Sequence, residues 1–572
     1  MNSMPATGSG LPDYGEKGVA HDIEGKQSPV DSGNVEDVQE GGQKPLVRAL
    51  HDRHMQVRGG AIGAGLFVGS GSTLNTGGPA SLVLGYIIVG TMLLLTVQAL
   101  AEMAVLYPVN GAFYNFICRF MDPSWGFALG WDYAIGWLVI LPFEITAASI
   151  TIDFWRSDIN VGVWIAVFLT VLAVVQVFGV RGYGEVEFTL SIIKVIALIG
   201  FIIFAIIVDC GGVPTDHRGY IGAHYWHKPG AFRNGFKGFC SVFVTAAFAF
   251  GGTELTGLAA AEAADPRKSI PKATRQVFWR IAVCYIISTF MLGLIVPSDS
   301  DVLLNSTGAN TKASPFVLAI TLAGVKGLPS VMNAVITISV LSVANSATFG
   351  STRTLQALAL QGMAPKLFAY VDKHGRPLPV VILQLLFGLL AFINEANVGS
   401  QVFNWLLALS GLSNFFIWGS ICVAHIRFRR AWAVQGRDLK QIPYKAFFGV
   451  WGSTVGAALN FICLIAQFYI AVWPIGGSPG GTAEAQDFFE AFLAAPVILG
   501  LYLGWKLYSG FSRDPKVNHR GWRMYWRAEE IDLDTGMREG VLLELDDIED
   551  ERRGSVTKQA ASIPYRMFRA LF

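Results

Sequence analysis

The sequence predicts an all-α polytopic membrane protein with twelve transmembrane helices, and two observations support this prediction. First, 52% of the 572 residues are hydrophobic and only 15% are charged, whereas soluble proteins have about 25% charged residues. Second, residues 51–508 hold only 50 of the 85 charged residues, because 12 lie before them and 23 after them. Such a segment cannot cover a soluble surface, so a cytosolic enzyme is excluded. The net charge of +1 also argues against nucleic-acid binding.

A transmembrane helix needs about 20 mostly apolar residues. Runs of this kind lie at 59–77, 80–106, 124–152, 161–180, 186–208, 238–261, 278–297, 327–352, 378–394, 401–426, 447–473 and 487–508. We therefore expect an N-terminal tail at 1–50, a twelve-span domain at 51–508 and a C-terminal tail at 509–572. Lysine and arginine concentrate in the loops at 262–277 and 427–446, which places both tails in the cytoplasm. Both tails are expected to be solvated, and the N-terminal tail to be disordered.

Glycines interrupt the first predicted span. Gly59–Gly77 contains seven glycines in 19 residues, and each glycine costs up to about 1 kcal/mol relative to alanine inside a helix. This density favours a broken helix, with a packing face of the GxxxG type at Gly65 and Gly69 as the alternative. The sixth span has a similar interruption, Phe250–Glu254, in otherwise apolar surroundings.

Two interrupted spans, five apart, are typical of transporters built from inverted repeats, which here would be spans 1–5 and 6–10. Unwound backbone is tolerated at membrane depth where it lines a cavity. In such a cavity the free N–H groups of one half-helix favour an anion, and free carbonyls favour a cation. An α-amino acid carries both charges on one carbon and satisfies both groups, although it is not the only ligand that does so.

Short motifs along the chain form a recognisable series. They are Arg53–Gln56, Gly59–Gly71, Leu141–Glu144, Phe239–Phe243, Gly252–Leu255, Asp265–Pro271 and Ile531–Gly536. In this order, over roughly residues 45–540, they resemble the fungal amino acid permeases of the amino acid–polyamine–organocation superfamily, general amino acid permease type. The resemblance implies a LeuT-type fold, a 5+5 inverted repeat with broken helices 1 and 6. It also implies proton-coupled uptake of L-amino acids.

Two positions depart from the family's pattern. Only Val57 and Arg58 separate Gln56 from Gly59, where the family has a longer apolar lead-in. This shortening is either a real variation or a wrongly assigned splice junction. Ala64 stands where many relatives have threonine, which matters little if only the backbone N–H is used.

The resemblance also implies a substrate site. Backbone N–H groups around Ala64 would hold the substrate carboxylate, and carbonyls at Ala61, Phe248 and Gly251 would take the ammonium. Phe248 would also be an aromatic lid, with simple packing as the alternative. The substrate-binding residues expected on this basis are Ala61, Ile62, Gly63, Ala64, Gly65, Phe248, Gly251, Gly252 and Thr253.

Glu144, Lys194 and Glu254 are the three ionisable residues that we expect to matter inside the spans. Each costs about 2.5–3.5 kcal/mol at a helix centre on insertion scales, so a functional role is the default expectation. Glu144 is expected near the substrate, and Glu254 as a gate or proton relay. The alternatives are a buried ion pair with Lys194, or a carboxylic acid kept neutral by burial.

The coupling ion is expected to be a proton. By resemblance to proton-coupled members of the superfamily, Lys194 in span 5 occupies the position that a sodium ion would otherwise take. An ammonium group can replace that cation and release its proton during the cycle. A lysine that snorkels toward the cytoplasm is the alternative. The residues of span 8 expected to line this coupling site are Ser342, Asn345 and Ser346.

The leading hypothesis is a plasma-membrane proton–amino acid symporter of broad selectivity, with neutral substrates first. A narrow permease for basic amino acids and a non-transporting amino acid sensor of the same fold remain alternatives, as does the vacuolar membrane. The expected partners are L-amino acids, protons and the lipid bilayer, with trafficking or ubiquitination machinery at the tails. No cofactor, metal or nucleic acid is expected.

Overall fold

The computed structural model describes residues 62–109, 111–155, 158–258, 266–300, 303, 314–373, 375–395, 399–476, 484–512, 523 and 525–537. Over these residues the chain forms helices and turns, without a strand. Three shorter apolar helices accompany six segments that are long and apolar enough to cross a membrane. Those six are Gly69–Leu106, Pro123–Phe154, Gly182–Asp209, Arg267–Ile295, Leu328–Leu360 and Gly449–Val472. The all-α, multi-span prediction is therefore confirmed at this level.

Helices of the first half of the chain overlap the first seven predicted spans, but Ala112–Phe120 and most of Pro266–Arg280 lie in predicted loops. Their bounds are α1 Ala64–Phe67, α2 Gly69–Leu106, α3 Ala112–Phe120, α4 Pro123–Thr151, α5 Val161–Val177, α6 Gly179–Asp209, α7 Gly235–Phe250, α8 Leu255–Leu258, α9 Pro266–Arg280 and α10 Ser288–Ile295. A π-helical segment, Ile281–Ile287, joins the last two.

Helices of the second half overlap the remaining predicted spans, but Pro315–Leu322 lies in a predicted loop. Their bounds are α11 Pro315–Leu322, α12 Leu328–Leu360, α13 Leu378–Gly388, α14 Gly399–Val434, α15 Gly449–Val472, α16 Ala485–Phe492 and α17 Ala494–Phe511. A 3₁₀ segment, Leu389–Glu395, continues α13. The predicted twelfth span is divided between α16 and α17, and α14 runs past the predicted end at residue 426.

The boundary between the first two predicted spans is a break inside α2. Gly78 has φ of +82°, a conformation that favours glycine, and Pro79 follows it. The freed backbone groups bond to the loop before α7: Arg233 N–H donates to Gly77 O and Ala80 N–H donates to Ala231 O, each at 2.9 Å. The chain therefore passes from one span to the next without a separate loop.

Apolar side chains are exposed in rows along α5 and α6. The exposed residues recur every three or four positions, which is one face of a helix. They are Val163, Val167, Val171 and Val174 on α5, and Ile192, Ile196, Ile199 and Ile203 on α6. Contiguous exposed apolar surface of this kind is typical of a membrane contact, so we expect these faces to contact lipid.

The interior is organised around two helix pairs. α4 packs along α12, and α7 packs along α2. α14 packs against α4, α2 and α7 and so closes the group on one side. Among the described residues, α2, α4, α12 and α14 together carry most of the buried polar residues, which places much of the polar chemistry between these four helices.

A buried ion network joins α2, α14 and the start of α15. The Glu102 carboxylate lies 2.5 Å from Arg429 Nε and accepts from Arg429 Nη2 at 2.9 Å and from Ala446 N–H at 2.7 Å. His425 Nε2 lies 3.2 Å from the same carboxylate, and its Nδ1 lies 2.8 Å from Ser453 Oγ. Glu102 and His425 are completely buried, and the Glu102 carboxylate is balanced by the charge of Arg429.

The segment 525–537 packs against the helices, so this part of the C-terminal tail is not solvated as expected. Leu533 is buried, and its carbonyl accepts from Tyr107 OH at 2.8 Å. Trp526 Nε1 donates to Cys118 O at 3.0 Å. Asp534 lies 2.6 Å from Arg437. These contacts tie the segment to the ends of α2, α3 and α14.

Glu102→Gln should destabilise the protein, because it leaves Arg429 buried without its counter-charge. Removing one partner of a buried pair costs about 3–5 kcal/mol. We expect a clear fall in the thermal unfolding temperature of the purified protein in detergent. Glu530→Gln is the control, since Glu530 lies 3.5 Å from the exposed Arg523, and exposed pairs contribute about 1 kcal/mol or less. Equal unfolding temperatures of the two variants would contradict this account.

Candidate substrate and coupling sites

A cavity lies where the interruptions of the first and sixth predicted spans meet α4, α12 and α14. Its volume is about 500 Å³, including the space on its open side. The lining residues come from both interruptions, from one face of α4 and from the middle of α14. They are Gly63, Gly65, Asp132, Tyr133, Gly136, Trp137, Ile140, Glu144, Phe248, Gly251, Gly252, Glu254, Val343, Ser410, Ser413, Asn414 and Ile417.

Most of the residues expected to bind substrate lie at this cavity. The lining includes Gly63, Gly65, Phe248, Gly251 and Gly252. Beside them, and buried, are Ile62, Ala64 and Thr253. Ala61 lies outside the described residues. The cavity therefore brings together two segments that are about 190 positions apart in the sequence.

The first interruption combines the two alternatives left open by the sequence. α1 is four residues long, and Val68, with φ of −114°, separates it from α2. A Cβ on Gly65 would lie 2.6 Å from Ala249 Cα, and one on Gly69 would lie 2.6 Å from Thr245 Cγ2. Both glycines therefore allow close packing on α7. The helix is interrupted, and its glycines also form a packing face.

The backbone at Ala64 is oriented for an anion. Gly63 is extended and precedes α1, so the N–H groups of Ala64 and the next two residues have no acceptor within the helix. A Cβ on Gly63 would lie only 2.5 Å from Val343 Cγ2. Glycine at this position lets the backbone lie directly against α12.

The second interruption exposes backbone carbonyls to the same cavity. α7 ends at Phe250, and Gly252 has φ of +90°, which glycine adopts without strain. Gly251 N–H donates to Phe248 O at 3.2 Å, and Asn414 Nδ2 donates to Ala247 O at 3.2 Å. A carbonyl has two lone pairs, so Phe248 O can accept a second donor.

Phe248 forms part of the cavity wall, next to the first interruption. Its ring meets Phe143 edge to face, with centroids 5.2 Å apart. Its Cδ1 lies 2.9 Å from the position of a Cβ on Gly65. The ring therefore lies against the backbone expected to hold the substrate carboxylate, and it also packs against α4.

Glu254 links the second interruption to α4 and α14. Its Oε1 accepts from Tyr133 OH at 3.1 Å and from Gly252 N–H at 3.1 Å. Its Oε2 accepts from Trp418 Nε1 at 3.4 Å. The residue is 1% exposed. Glu254 is thus held by three donors, none of them a lysine, and the expected alternative of a pair with Lys194 does not hold for it.

Two other carboxylates of the cavity keep an oxygen without a hydrogen bond. Glu144 Oε2 and Asp132 Oδ2 are both buried and have no partner among the described residues. The Glu144 carboxylate faces the Ala64 N–H, and Asp132 Oδ1 accepts from Ser413 Oγ at 2.9 Å. Buried acceptors of this kind are costly unless a donor or a cation reaches them, so the cavity favours a positively charged ligand group.

Lys194 belongs to a second, adjoining polar site between α6 and α12. Its Nζ donates to Ser342 Oγ at 2.6 Å and lies 3.8 Å from Glu187 Oε1. Lys194 is only 1% exposed, so the alternative of a snorkelling lysine does not hold. The Glu144 carboxylate also attracts the Lys194 ammonium group. Because Glu144 also lines the cavity, this attraction links the second polar site to the cavity.

The three expected lining residues of span 8 divide between two places. Ser342 contacts Lys194. Asn345 Oδ1 instead accepts from Gln176 Nε2 at 3.1 Å, and Ser346 Oγ lies 3.2 Å from Tyr183 OH. Asn345 and Ser346 therefore lie about one helical turn away from the lysine, where they join α12 to α5 and α6.

The sequence analysis identified three ionisable residues inside the spans, and this set is incomplete. Asp132 and Glu187 are also buried there, as is Glu102 in the network at the end of α2. The signal for Asp132 was its position inside a predicted apolar span, where a charged residue is rare. The signal for Glu187 was its position seven residues before Lys194, two turns along the same face.

An all-helical membrane protein with a polar cavity between two interrupted helices is, by class, a membrane transporter. The chain belongs to the amino acid permease family, whose model matches residues 52–517. General amino-acid permease GAP2 of Candida albicans is 52% identical over 510 residues, covering 89% of this chain and 84% of that protein. General amino-acid permease GAP1 of Saccharomyces cerevisiae is 50% identical over 505 residues, covering 87% and 81%. Cationic amino acid transporter 1 of Schizosaccharomyces pombe is 52% identical over 514 residues, covering 88% and 84%.

Gly65→Ala should abolish transport, because the added Cβ would lie 2.6 Å from the backbone of Ala249 and would push α1 away from α7. Gly200→Ala on α6 is the matched control, since nothing lies within 4 Å of its Cβ position. Amino acid uptake should be lost in the first variant and retained in the second, with both proteins quantified at the membrane. Normal uptake by Gly65→Ala would show that the close approach is not required.

Proposed function

We propose that this protein takes up L-amino acids across the plasma membrane by symport with protons. Its architecture would be twelve spans in a LeuT-type fold of two inverted five-span repeats, with both termini in the cytoplasm. The observation that carries the proposal is the cavity lined by both helix interruptions, because broken helices place the substrate site in transporters of this design.

The helix packing supports the repeat. Spans 1 and 6 would be equivalent in a 5+5 arrangement, and α1 packs against α7. Spans 3 and 8 would be equivalent as well, and α4 packs along α12. The two interrupted spans thus contact each other beside the cavity, which is the arrangement expected of equivalent elements close to the pseudo-two-fold axis of two inverted repeats.

The cavity has the groups that a zwitterion needs. The substrate carboxylate would bind the N–H groups at Gly63, Ala64 and Gly65, and the ammonium would bind carbonyls at Phe248 and Gly251. The ammonium would also approach the unpartnered oxygen of Glu144. Phe248 would close over the bound substrate. Glu254, with its donors on α4 and α14, would transmit movement of the second interruption to the surrounding helices.

In the coupling site, the ammonium group of Lys194 takes the place of a bound cation. Lys194 supplies a positive charge between α6 and α12, next to the substrate cavity. The charge is balanced by Glu187 and Glu144. Loss of the proton from Lys194 would leave both carboxylates uncompensated and would favour return of a proton. The cycle would therefore bind one proton from outside and release it inside.

Uptake of a radiolabelled amino acid should rise as the external pH falls, since the proton is a co-substrate. It should collapse with a protonophore and remain when sodium is replaced by choline. Lys194→Ala should lose accumulation against a gradient while remaining at the cell surface. Lys326→Ala, which changes an exposed lysine, is the control and should transport like the parent. The measurement is uptake in cells that lack their own amino acid permeases.

Two results would overturn this proposal. Strict sodium dependence of the parent, or undiminished accumulation by Lys194→Ala, would exclude proton coupling at this site. An absence of any uptake by surface-expressed parent protein would instead favour the sensor alternative.

The charge of the cavity supports a preference for neutral and basic substrates over acidic ones. Its lining contains three carboxylates, Asp132, Glu144 and Glu254, and no lysine or arginine among the described residues. The relatives bear the names of both general and cationic transporters at similar identity, so their names do not decide the breadth of selectivity. Acidic side chains would meet like charges in this cavity.

Competition with all twenty amino acids should therefore rank aspartate and glutamate among the weakest inhibitors of uptake. Asp132→Asn should raise the KM for lysine by roughly tenfold, the equivalent of one hydrogen bond to a charged group. The KM for leucine should change little, because leucine has no charge to pair with Asp132. Equal changes for both substrates would show that Asp132 does not select the substrate side chain.

A further inference from the structure

Glu187 is a buried carboxylate that the coupling scheme above uses only as a counter-charge. It lies in the third turn of α6 and is 3% exposed. Its Oε1 accepts from Ser191 Oγ at 3.3 Å and lies 3.8 Å from Lys194 Nζ. Its Oε2 accepts from Ser342 Oγ at 2.7 Å. Both oxygens therefore point into the coupling site.

Ser342 connects the two charged groups. Lys194 Nζ donates to its Oγ at 2.6 Å, and the same hydroxyl donates to Glu187 Oε2 at 2.7 Å. Donor, hydroxyl and acceptor thus form a continuous chain of two short hydrogen bonds. Such a chain can move a proton without displacing any heavy atom, because the hydroxyl gives up one hydrogen while it receives another.

Glu187 also lies on the path from Lys194 to one end of the protein. It precedes Lys194 by seven residues, about 10 Å along the helix axis. Tyr183 lies one turn further in the same direction and lines a second pocket, of about 320 Å³. Gln176, Gly179, Phe349 and Arg353 line this pocket too. In the proposed topology this end of α6 faces the cytoplasm.

We propose that Glu187 is the group that receives the proton from Lys194, through the Ser342 hydroxyl, and passes it to water in the pocket at the start of α6. An Nζ–H bond of Lys194 breaks as a new Oγ–H bond forms. The original Oγ–H bond breaks as an Oε2–H bond forms on Glu187. Lys194 becomes a neutral amine, Glu187 a neutral acid, and Ser342 remains a hydroxyl. The proton then leaves Glu187 to water. This inference rests on the proposed proton symport.

The charges around this chain suit the transfer. Glu187 and Lys194 together carry no net charge before and after it, so no unpaired charge appears in an apolar interior. Glu144 from α4 and Arg280 from α9 are the other charged groups that act on Lys194. Arg280 repels the ammonium and Glu144 attracts it. Substrate binding at the Glu144 end of the cavity would weaken that attraction and favour release toward Glu187.

The test separates exchange from net transport, using purified protein in liposomes. Exchange of radiolabelled for unlabelled L-leucine at equal pH needs no net proton release. Accumulation driven by a pH gradient, and the accompanying proton entry reported by a trapped pH-sensitive dye, need it in every cycle. If L-leucine is not transported by the parent, L-lysine replaces it. The variants are Glu187→Gln, Glu187→Asp and Ser342→Ala, with Glu185→Gln, an exposed carboxylate on the same helix, as the matched control.

Glu187→Gln should retain exchange while gradient-driven accumulation and proton entry fall by on the order of 100-fold, the contribution typical of a positioned proton-transfer group. Ser342→Ala should show the same separation more weakly. Glu187→Asp should recover part of the proton entry, and Glu185→Gln should match the parent.

Accumulation by Glu187→Gln equal to that of the parent would overturn the inference. So would a parallel loss of exchange and accumulation without recovery in Glu187→Asp, since that pattern indicates a positioning role. Failure of the proposed function itself is distinguishable, because the parent would then show no protonophore-sensitive accumulation.

Discussion

The structure depends on one constraint: backbone polar groups that leave a helix inside the membrane must be satisfied by protein. The first and sixth predicted spans are interrupted, and neither interruption can face hydrocarbon. They are therefore enclosed by α4, α12 and α14, whose side chains supply donors such as Asn414. The glycines at the interruptions are part of the same solution, because they let backbone approach backbone without an intervening side chain. The cavity follows from this enclosure.

The same constraint explains why the polar chemistry is concentrated in one region. Once α4 and α12 enclose the interruptions, their inner faces are the places where charged side chains can be balanced. Glu254 obtains donors from α4 and α14, and Lys194 obtains Ser342 and Glu187 from α12 and α6. The outward faces of α5 and α6 are free of this requirement and present rows of valine and isoleucine. The proposed substrate and coupling sites are thus neighbours, because both need the same shielded interior.

The sequence predicted the elements whose physical signal is local. Hydropathy located the helical segments, and the density of glycine at Gly59–Gly77 predicted an interrupted helix. Lys194 stood out because a charge is rare in an apolar run. Glu187 was missed because it lies at the edge of the span, where a carboxylate normally faces water, and only the fold turns it inward. The orientation of Asn345 toward Gln176 depends on the rotation of α12 against α5, which no single-sequence pattern contains.

The docking of segment 525–537 has a practical consequence for anyone shortening this chain. Hydropathy alone suggests that the protein could be cut after the last apolar helix, near Tyr508. Such a cut would remove the partners of Tyr107 and Arg437 and would uncover surface now covered by Ile531 and Leu533. Tags and fusion partners belong beyond Met537, where these contacts stay intact. The smallest well-packed unit of this permease therefore extends beyond the last apolar helix and includes segment 525–537.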